Sequence, residues 1–248
     1  MPRRLEQIHM PGKPYHILSR AVDGKAIFES RDDCARFIFQ MHAANIGSPI
    51  PNIYRRNLGE ATDLLLSGKD ALEKYVRPAH PPLVEFFSFV LAQDHYHFGI
   101  VPAQKGGVSL YMQKLNLGFA KFFNMKYKRR GALFETRFQA APIKSPDQLV
   151  ALAQHINIKN VLDLYQPSWV EQGLHSEEGA VRFLKEYTYS SFPDLFHGRN
   201  SLIVSHAGKE ELKKFLKEDF LQNEGSFHDL FESYRRKKWD KYAGILLE

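Results

Sequence analysis

The chain has 248 residues, with 34 Lys and Arg against 28 Asp and Glu, a formal net charge of +6. Apolar residues make up 44% and charged residues 25% of the chain, which excludes wholesale disorder and collagen-like structure. A single cysteine, Cys34, excludes an intramolecular disulfide framework and a cysteine-based zinc cluster. The start carries no signal-peptide pattern and no apolar run is long enough to span a bilayer, so we expect a cytoplasmic protein without a membrane partner.

The first third of the chain predicts a strand, a helix and an irregular insertion. Tyr15–Ala21 reads as a strand. Ser30 is a predicted helix N-cap, with Asp33 at the capping-box position. Residues 46–82 are punctuated by Gly and Pro, and we interpret them as an insertion loop with one short helix, Lys69–Tyr75.

The middle of the chain predicts two strands, a helix, a strand and a further helix. Val84–Leu91 and His95–Val101 are strands joined by a tight turn, and Ser109 is expected to cap a helix that ends near Lys126. The next two elements are a strand over Leu133–Ile143 and a helix over Ser145–Val161. The resulting order β-α-β-β-α-β is the split ferredoxin-like arrangement. We therefore predict an α+β fold with an antiparallel sheet and an added helix after the last strand.

The remainder of the chain reads as helical and irregular. The predicted helices lie near Ser176–Tyr187, 209–221 and 226–238. We expect one domain over residues 1–166, with the insertion loop at 46–82, and a helical C-terminal extension over 167–248.

The sharpest local feature is the tripeptide His95-Tyr96-His97. Side chains two apart on a strand point the same way, so both imidazoles share a face and Tyr96 packs on the other. Neighbouring imidazoles on one face are a ready pair of metal ligands. Two surface histidines without a site would give the same pattern.

Several separated motifs of this chain occur together in one known family. They are Tyr15-His16-Ile-Leu-Ser-Arg20, His95-Tyr96-His97, the glycine-led helix Gly107-Val-Ser-Leu-Tyr-Met-Gln with its Phe122-Phe123-Asn124 end, Gly131-Ala-Leu-Phe-Glu-Thr-Arg137-Phe, and Tyr189-Ser-Ser-Phe192. In this order they resemble the single-tyrosine HUH transposases, and among these the REP-associated tyrosine transposase branch. The resemblance covers roughly residues 12–196 and leaves out the insertion at 46–82.

The resemblance implies a specific chemistry. Such proteins are ferredoxin-like domains that cut single-stranded DNA beside a hairpin and rejoin it during transposition. By resemblance, His95 and His97 hold a divalent metal, Mg²⁺ or Mn²⁺, which polarises the scissile phosphate. A tyrosine from the helix after the last strand attacks and forms a 5′-phosphotyrosine link, which splits the transfer into two steps.

The chain departs from the family where that tyrosine should stand. The family's helix ends in a pattern like R-Y-I-H-L-N-P-V, and this chain reads Gln154-His155-Ile156-Asn157-Ile158-Lys159-Asn160-Val161. Alignment without a gap puts His155 at the tyrosine and Lys159 four residues later. A one-residue slip puts Asn160 at the metal-ligand position but Ile156 at the nucleophile. Helical spacing favours the gapless register, with His155 and Lys159 on the flank of a buried stripe.

Three explanations of His155 stay open at this point. The protein has lost cleavage and kept DNA binding, or another tyrosine such as Tyr165 serves as nucleophile. In the third, His155 is itself a metal ligand or a nucleophile that forms a phosphoramidate.

A basic segment supports a nucleic-acid partner. It spans residues 121–137 and holds six basic residues against the single acid Glu135. The predicted nucleic-acid-binding residues are Lys121, Lys126, Lys128, Arg129, Arg130 and Arg137, together with Arg20 on the first strand and Lys159. A solvated basic turn is the alternative.

The leading hypothesis is therefore an HUH-type enzyme, monomeric or homodimeric, acting on hairpin-forming single-stranded DNA. A non-catalytic DNA- or RNA-binding protein on the same fold is the second. A metal-dependent hydrolase with a His-x-His site is disfavoured, because Asp94 is the only acid near the pair.

Overall fold

The computed structural model describes residues 11–49, 58–69, 75–135, 137–213 and 225–247. The strands of this part of the chain are β1 Tyr15–Arg20, β2 Gly47–Pro49, β3 Val76–Pro78, β4 Val84–Leu91, β5 His95–Pro102 and β6 Gln139–Pro142. The α-helices are α1 Arg31–Ile46, α2 Leu58–Ser67, α3 Gly107–Lys126, α4 Pro146–Gln154, α5 Asn160–Tyr165, α6 Trp169–Gln172, α7 Glu177–Glu186, α8 Phe192–Phe196, α9 His206–Lys213 and α10 Gly225–Arg236. A π-helical turn, His155–Lys159, joins α4 to α5, and 3₁₀ turns lie at Val22–Gly24 and Trp239–Tyr242.

Four strands form one antiparallel sheet in the order β4-β5-β1-β6. Along the chain these strands and the two helices packed between them follow the order β1-α1-β4-β5-α3-β6. This confirms the predicted α+β class and its antiparallel sheet. In the β1–β5 pairing, Arg20 lies opposite His95, Leu18 opposite His97 and His16 opposite Gly99. These side chains therefore share one face of the sheet.

The other face of the sheet packs against α1 and α3. Tyr15 and Ile17 of β1 and Tyr96 and Phe98 of β5 are buried there, as strand alternation predicts. The Ser30 side chain caps α1 by accepting a hydrogen bond from the Asp33 amide, which confirms the predicted helix start.

The face that carries the histidines is covered by α4, the π turn and the C-terminal elements. A second buried cluster joins Phe87 and Val90 of β4 to Ile156, Leu212 and Phe231. Gly208 of α9 packs so closely on β4 that a Cβ there would lie 2.3 Å from a Phe86 backbone oxygen. One core thus runs across the predicted boundary at residue 166.

One sequence-based helix assignment is wrong, and another lies mostly outside the described residues. The insertion at 46–82 holds the β2–β3 pair and α2, and residues 70–74 of the helix predicted over Lys69–Tyr75 lie outside the described part. α2 ends before Gly68, whose φ of 71° is the left-handed conformation that closes helices. α3 begins at Gly107 with Gly106 as its N-cap, so Ser109 lies inside the helix and does not cap it.

Two further elements differ in extent. The strand predicted over Leu133–Ile143 is regular only over β6, and Phe134 forms an isolated bridge with Ala21. The helix predicted over Ser145–Val161 starts as expected, because Ser145 accepts from the Gln148 amide, but it changes to a π turn at His155. Residues 214–221 of the predicted helix 209–221 lie outside the described part. No helix of the described residues is both long and apolar enough to cross a membrane.

Candidate metal and nucleic-acid site

Four histidines meet on the sheet face that α4 and the π turn cover. β5 supplies His95 and His97, whose ring centroids lie 4.9 Å apart. β1 supplies His16, 5.1 Å from His97, and the π turn supplies His155, 5.4 Å from His97. His97 is thus the centre of the cluster. His16, His97 and His155 are each at most 1% exposed.

The π turn changes which residue follows His155 along the helix axis. In an α-helix the amide of residue 159 would bond to the His155 carbonyl, but here the Asn160 amide does so. The Asn160 side chain also donates to this carbonyl, at 2.9 Å. His155 is buried, and its ring faces the histidine pair of β5, 5.4 Å from the ring of His97.

A buried polar network holds the π turn against the sheet. Asn157 donates through Nδ2 to the Ser88 hydroxyl of β4 at 2.7 Å, and its Oδ1 accepts from the Ser191 hydroxyl at 2.6 Å. Ser191 also accepts from the Phe89 amide at 2.8 Å. Ser191 lies in the sequence motif 189–192. The motif 189–192 therefore stabilises the π turn that carries His155, through the hydrogen bond from Ser191 to Asn157.

Hydrogen bonds occupy one nitrogen of each histidine in the His-x-His pair. His95 contacts the Asp94 carboxylate through Nδ1 at 2.5 Å, and Asp94 also accepts from Arg20 at 3.0 Å. Nδ1 of His97 lies 2.8 Å from Nε2 of His16. In both rings Nδ1 is engaged, and Nε2 is the nitrogen left for another ligand.

Burial keeps all four imidazoles neutral near pH 7. It lowers the pKa of His16 to about 4, against an opposing hydrogen bond to the Ile245 backbone. Burial also lowers the pKa of His97 and His155 well below 6.5, and that of His95 below 6.5 although Asp94 opposes it. The positive charge of Lys159 adds to the lowering for these three groups. Neutral imidazole is the form that binds metals.

Burial alone would raise the pKa of Asp94, but hydrogen bonds and charges from His95 and Arg20 hold it below its usual value. Asp94 is therefore an anion beside His95, the arrangement that orients a metal-binding histidine through its second nitrogen.

The donor chemistry of the cluster fits a divalent transition metal. Nε2 of His97 is buried and has no hydrogen-bond partner among the described residues. Among the described residues, one ligand atom from each of His16, His97 and His155 lies within 4.8 Å of the others, and His95 is not part of this group. Both ring nitrogens of His16 are in hydrogen-bond contact, with the Ile245 carbonyl and with His97. Imidazole nitrogens suit Zn²⁺ and related ions, whereas Mg²⁺ prefers oxygen ligands, so Mg²⁺ fits this set poorly.

Lys159 and Tyr165 occupy different places relative to the cluster. Lys159 is close enough for its charge to act on three of the histidines, and its Nζ lies 3.2 Å from an Asp163 carboxylate oxygen. Tyr165 packs its ring 5.5 Å from that of Phe183, with its hydroxyl beside Gly179 on α7.

The basic segment forms a shaped turn after α3. Asn124 bonds the Gly131 carbonyl, Arg129 donates to Asn124 at 3.1 Å, and Lys126 pairs with the buried Asp33 at 2.8 Å. The exposed basic residues are Lys121, Lys126, Lys128, Arg130 and Arg137, and Arg129 is half-buried. Beyond the turn, the Glu135 amide bonds the Arg20 carbonyl, so the segment runs beside the strand end that carries Arg20 and His95. We call residues 121–137 the basic turn.

His16 is the residue of the cluster that sequence reasoning did not assign to a site. Its position on the same strand face as Arg20 was a signal, because both belong to the motif that begins at Tyr15. Only the β1–β5 pairing shows that this face meets His97. Strand pairing between distant segments is not encoded in a local pattern.

Comparison with known proteins gives little beyond this geometry. No family model matches the chain, and no curated protein matches it. A solved structure of a REP-associated tyrosine transposase bound to a REP hairpin is similar, with a TM-score of 0.44 and 12% identity. The match covers 83% of this chain and 90% of that one.

Proposed function

We propose that this chain is a transposase-like protein that binds hairpin-forming single-stranded DNA and holds one phosphate at a metal site, without a covalent link to the DNA. Its domain is ferredoxin-like, with an added helix that carries His155. The observation that carries the proposal is the pair His95 and His97, each with Nδ1 engaged and Nε2 left for a ligand, on the strand beside the basic turn.

His95 and His97 are the residues that would hold a divalent ion, and the His155 ring lies 5.4 Å from that of His97. When bound, such an ion neutralises charge on a phosphoryl oxygen. Asp94 orients the His95 ring, and Lys159 adds a positive charge beside the cluster. Both features favour the binding of a phosphate next to these strands.

The basic turn supplies the contacts to the phosphate backbone of the DNA. Its exposed cations lie on one short segment, and the bonds among Asn124, Arg129 and Gly131 fix the part that carries Lys128 and Arg130. Contacts of this kind bind DNA strongly and depend on salt, and they read no base sequence.

Among the residues that the structure describes, the histidine cluster contains no phenol that could form the covalent link. His155 occupies the matching position, but it is 1% exposed and hydrogen-bonded to the Leu247 backbone. A nitrogen that binds a metal has no lone pair left for attack. Cleavage and rejoining by covalent phosphoryl transfer through His155 is the alternative function, and it predicts an adduct.

A denaturing gel separates these functions. We expect wild-type protein with Mn²⁺ to bind a hairpin-flanked single strand more tightly than a single strand of equal length without a hairpin, and to form no adduct. His155→Tyr restores some adduct because it returns a hydroxyl to the cluster, and His155→Phe, which matches it in size, does not.

Equal binding of both strands would contradict the proposed hairpin recognition. A wild-type adduct that survives alkali and is lost in acid would identify His155 as a nucleophile and overturn the non-covalent proposal.

A further inference from the structure

We propose that His16 is a positioning residue that fixes the tautomer and the ring orientation of His97. The inference rests on the proposed role of His97 in metal binding. Its basis is a chain of two contacts, from the Ile245 carbonyl oxygen to Nδ1 of His16 at 2.7 Å and from Nε2 of His16 to Nδ1 of His97 at 2.8 Å.

The donors in this chain follow from what each atom can do. A carbonyl oxygen only accepts, so Nδ1 of His16 carries a proton and donates to Ile245. The Leu247 N–H points at the same nitrogen from 3.3 Å, which would suit an acceptor there, but the contact to the Ile245 carbonyl oxygen is 0.6 Å shorter and can form only with a protonated Nδ1. A neutral imidazole carries one N–H, so Nε2 of His16 is an acceptor and Nδ1 of His97 must donate to it.

This direction leaves Nε2 of His97 without a proton. That atom is buried and has no hydrogen-bond partner among the described residues, so its lone pair is available to a ligand. His16 therefore holds His97 in the tautomer that a metal needs, and the stacked rings, 22° apart in plane, limit rotation of His97. Partners of this kind commonly contribute 10–100-fold to metal affinity.

The two histidines of the pair are thus oriented by different groups. Asp94, 22% exposed, orients His95, while His16, which is fully buried, orients His97. A carboxylate at the His16 position would place an anion away from water, at a cost that a neutral ring avoids. A neutral histidine that is itself hydrogen-bonded to a backbone carbonyl suits the buried half of the site.

The test uses full-length His16→Leu and His16→Gln. Leu removes the acceptor, whereas Gln offers its side-chain oxygen to the His97 N–H. Long-range ¹H–¹⁵N correlation spectra of metal-free protein report which nitrogen of His97 is protonated, and calorimetric titration with Zn²⁺ and with Mn²⁺ reports affinity.

We expect wild-type His97 to be protonated at Nδ1. His16→Leu should lose this uniform state and bind the ions about 10–100-fold more weakly. His16→Gln should retain the tautomer and most of the affinity. Recovery by Gln supports positioning, since loss of packing alone would not be repaired by an acceptor.

Two results would overturn the inference. One is protonation of His97 at Nε2 in metal-free wild-type protein, a measurement that needs no variant to fold. The other is His16→Leu with unchanged tautomer and unchanged affinity while His97→Ala abolishes binding. If His97→Ala itself retains full affinity, the proposed metal role of His97 is wrong. The tautomer measurement still tests separately whether Nδ1 of His97 donates to Nε2 of His16.

Discussion

Replacement of Ser191 by Ala should destabilise the fold far more than replacement of its neighbour Ser190. Both serines are fully buried, and both lie in the short motif between α7 and α8. The Ser191 hydroxyl joins two distant elements, because it donates to Asn157 of the π turn and accepts from the Phe89 amide of β4. The Ser190 hydroxyl makes only longer contacts, to the Tyr187 carbonyl at 3.2 Å and the Phe192 amide at 3.3 Å.

The magnitude follows from the groups that lose a partner. Ser191→Ala deprives the Phe89 amide and the Asn157 side-chain oxygen of a hydrogen bond, and both residues are fully buried. Each buried polar group without a partner costs about 1–3 kcal/mol, so Ser191→Ala should lower the free energy of unfolding by roughly 2–6 kcal/mol. Ser190→Ala removes only its two longer, local contacts, so we expect about 1 kcal/mol.

Urea unfolding of the two variants measures this difference in the free energy of unfolding. Ser191→Ala should also weaken Zn²⁺ binding, because Asn157 would lose one of the bonds that hold the turn carrying His155 and keep only those of its side-chain nitrogen. Equal destabilisation by the two substitutions would refute the view that Ser191 braces the π turn. Ser191→Thr, which keeps the hydroxyl, is a further control.

Three more predictions concern acid stability, DNA contacts and metal binding. Burial lowers the pKa of His42 on α1 to about 4, so neutral His42 favours the fold above pH 6.5 and this stability is lost as the pH falls towards 4. With about 1.36 kcal/mol for each pKa unit, the free energy of unfolding falls by at most about 3 kcal/mol for this group. His42→Gln should reduce the difference in unfolding free energy between pH 7.5 and pH 5, measured by urea unfolding. The same pH dependence in the variant and the wild type would contradict this. Lys128→Ala with Arg130→Ala should reduce the log–log salt slope of DNA binding by about two, and an unchanged slope would mean that the basic turn faces away from DNA. His95→Ala should abolish calorimetric Zn²⁺ binding, with exposed His206→Ala as the control, and equal affinity of both variants would place the ion elsewhere.

The sequence predicts best those elements whose ends carry their own hydrogen-bonding side chains. Ser30, Ser145 and Ser176 each cap the helix that follows, and each accepts a backbone amide three residues on. The strand pair around His95 is likewise marked by its own alternation. These signals are local, so they do not depend on what the rest of the chain does.

Elements whose limits depend on distant partners are not predictable in this way. β2 and β3 pair across the insertion, and each has only three residues. The helix α2, which precedes the helix predicted for the insertion, ends before Gly68, whose positive φ suits a helix end. The contact between His16 and His97 has the same origin, since it needs the β1–β5 register before either ring can be placed.

The π turn sets which residue lies one turn beyond His155. A π turn holds one residue more than an α-helical turn. Asn160, rather than Lys159, therefore lies one turn from His155, as its amide bond to the His155 carbonyl shows. Periodicity alone could not reveal this, because the extra residue is held by Asn157 through contacts to Ser88 and Ser191, which come from other parts of the chain.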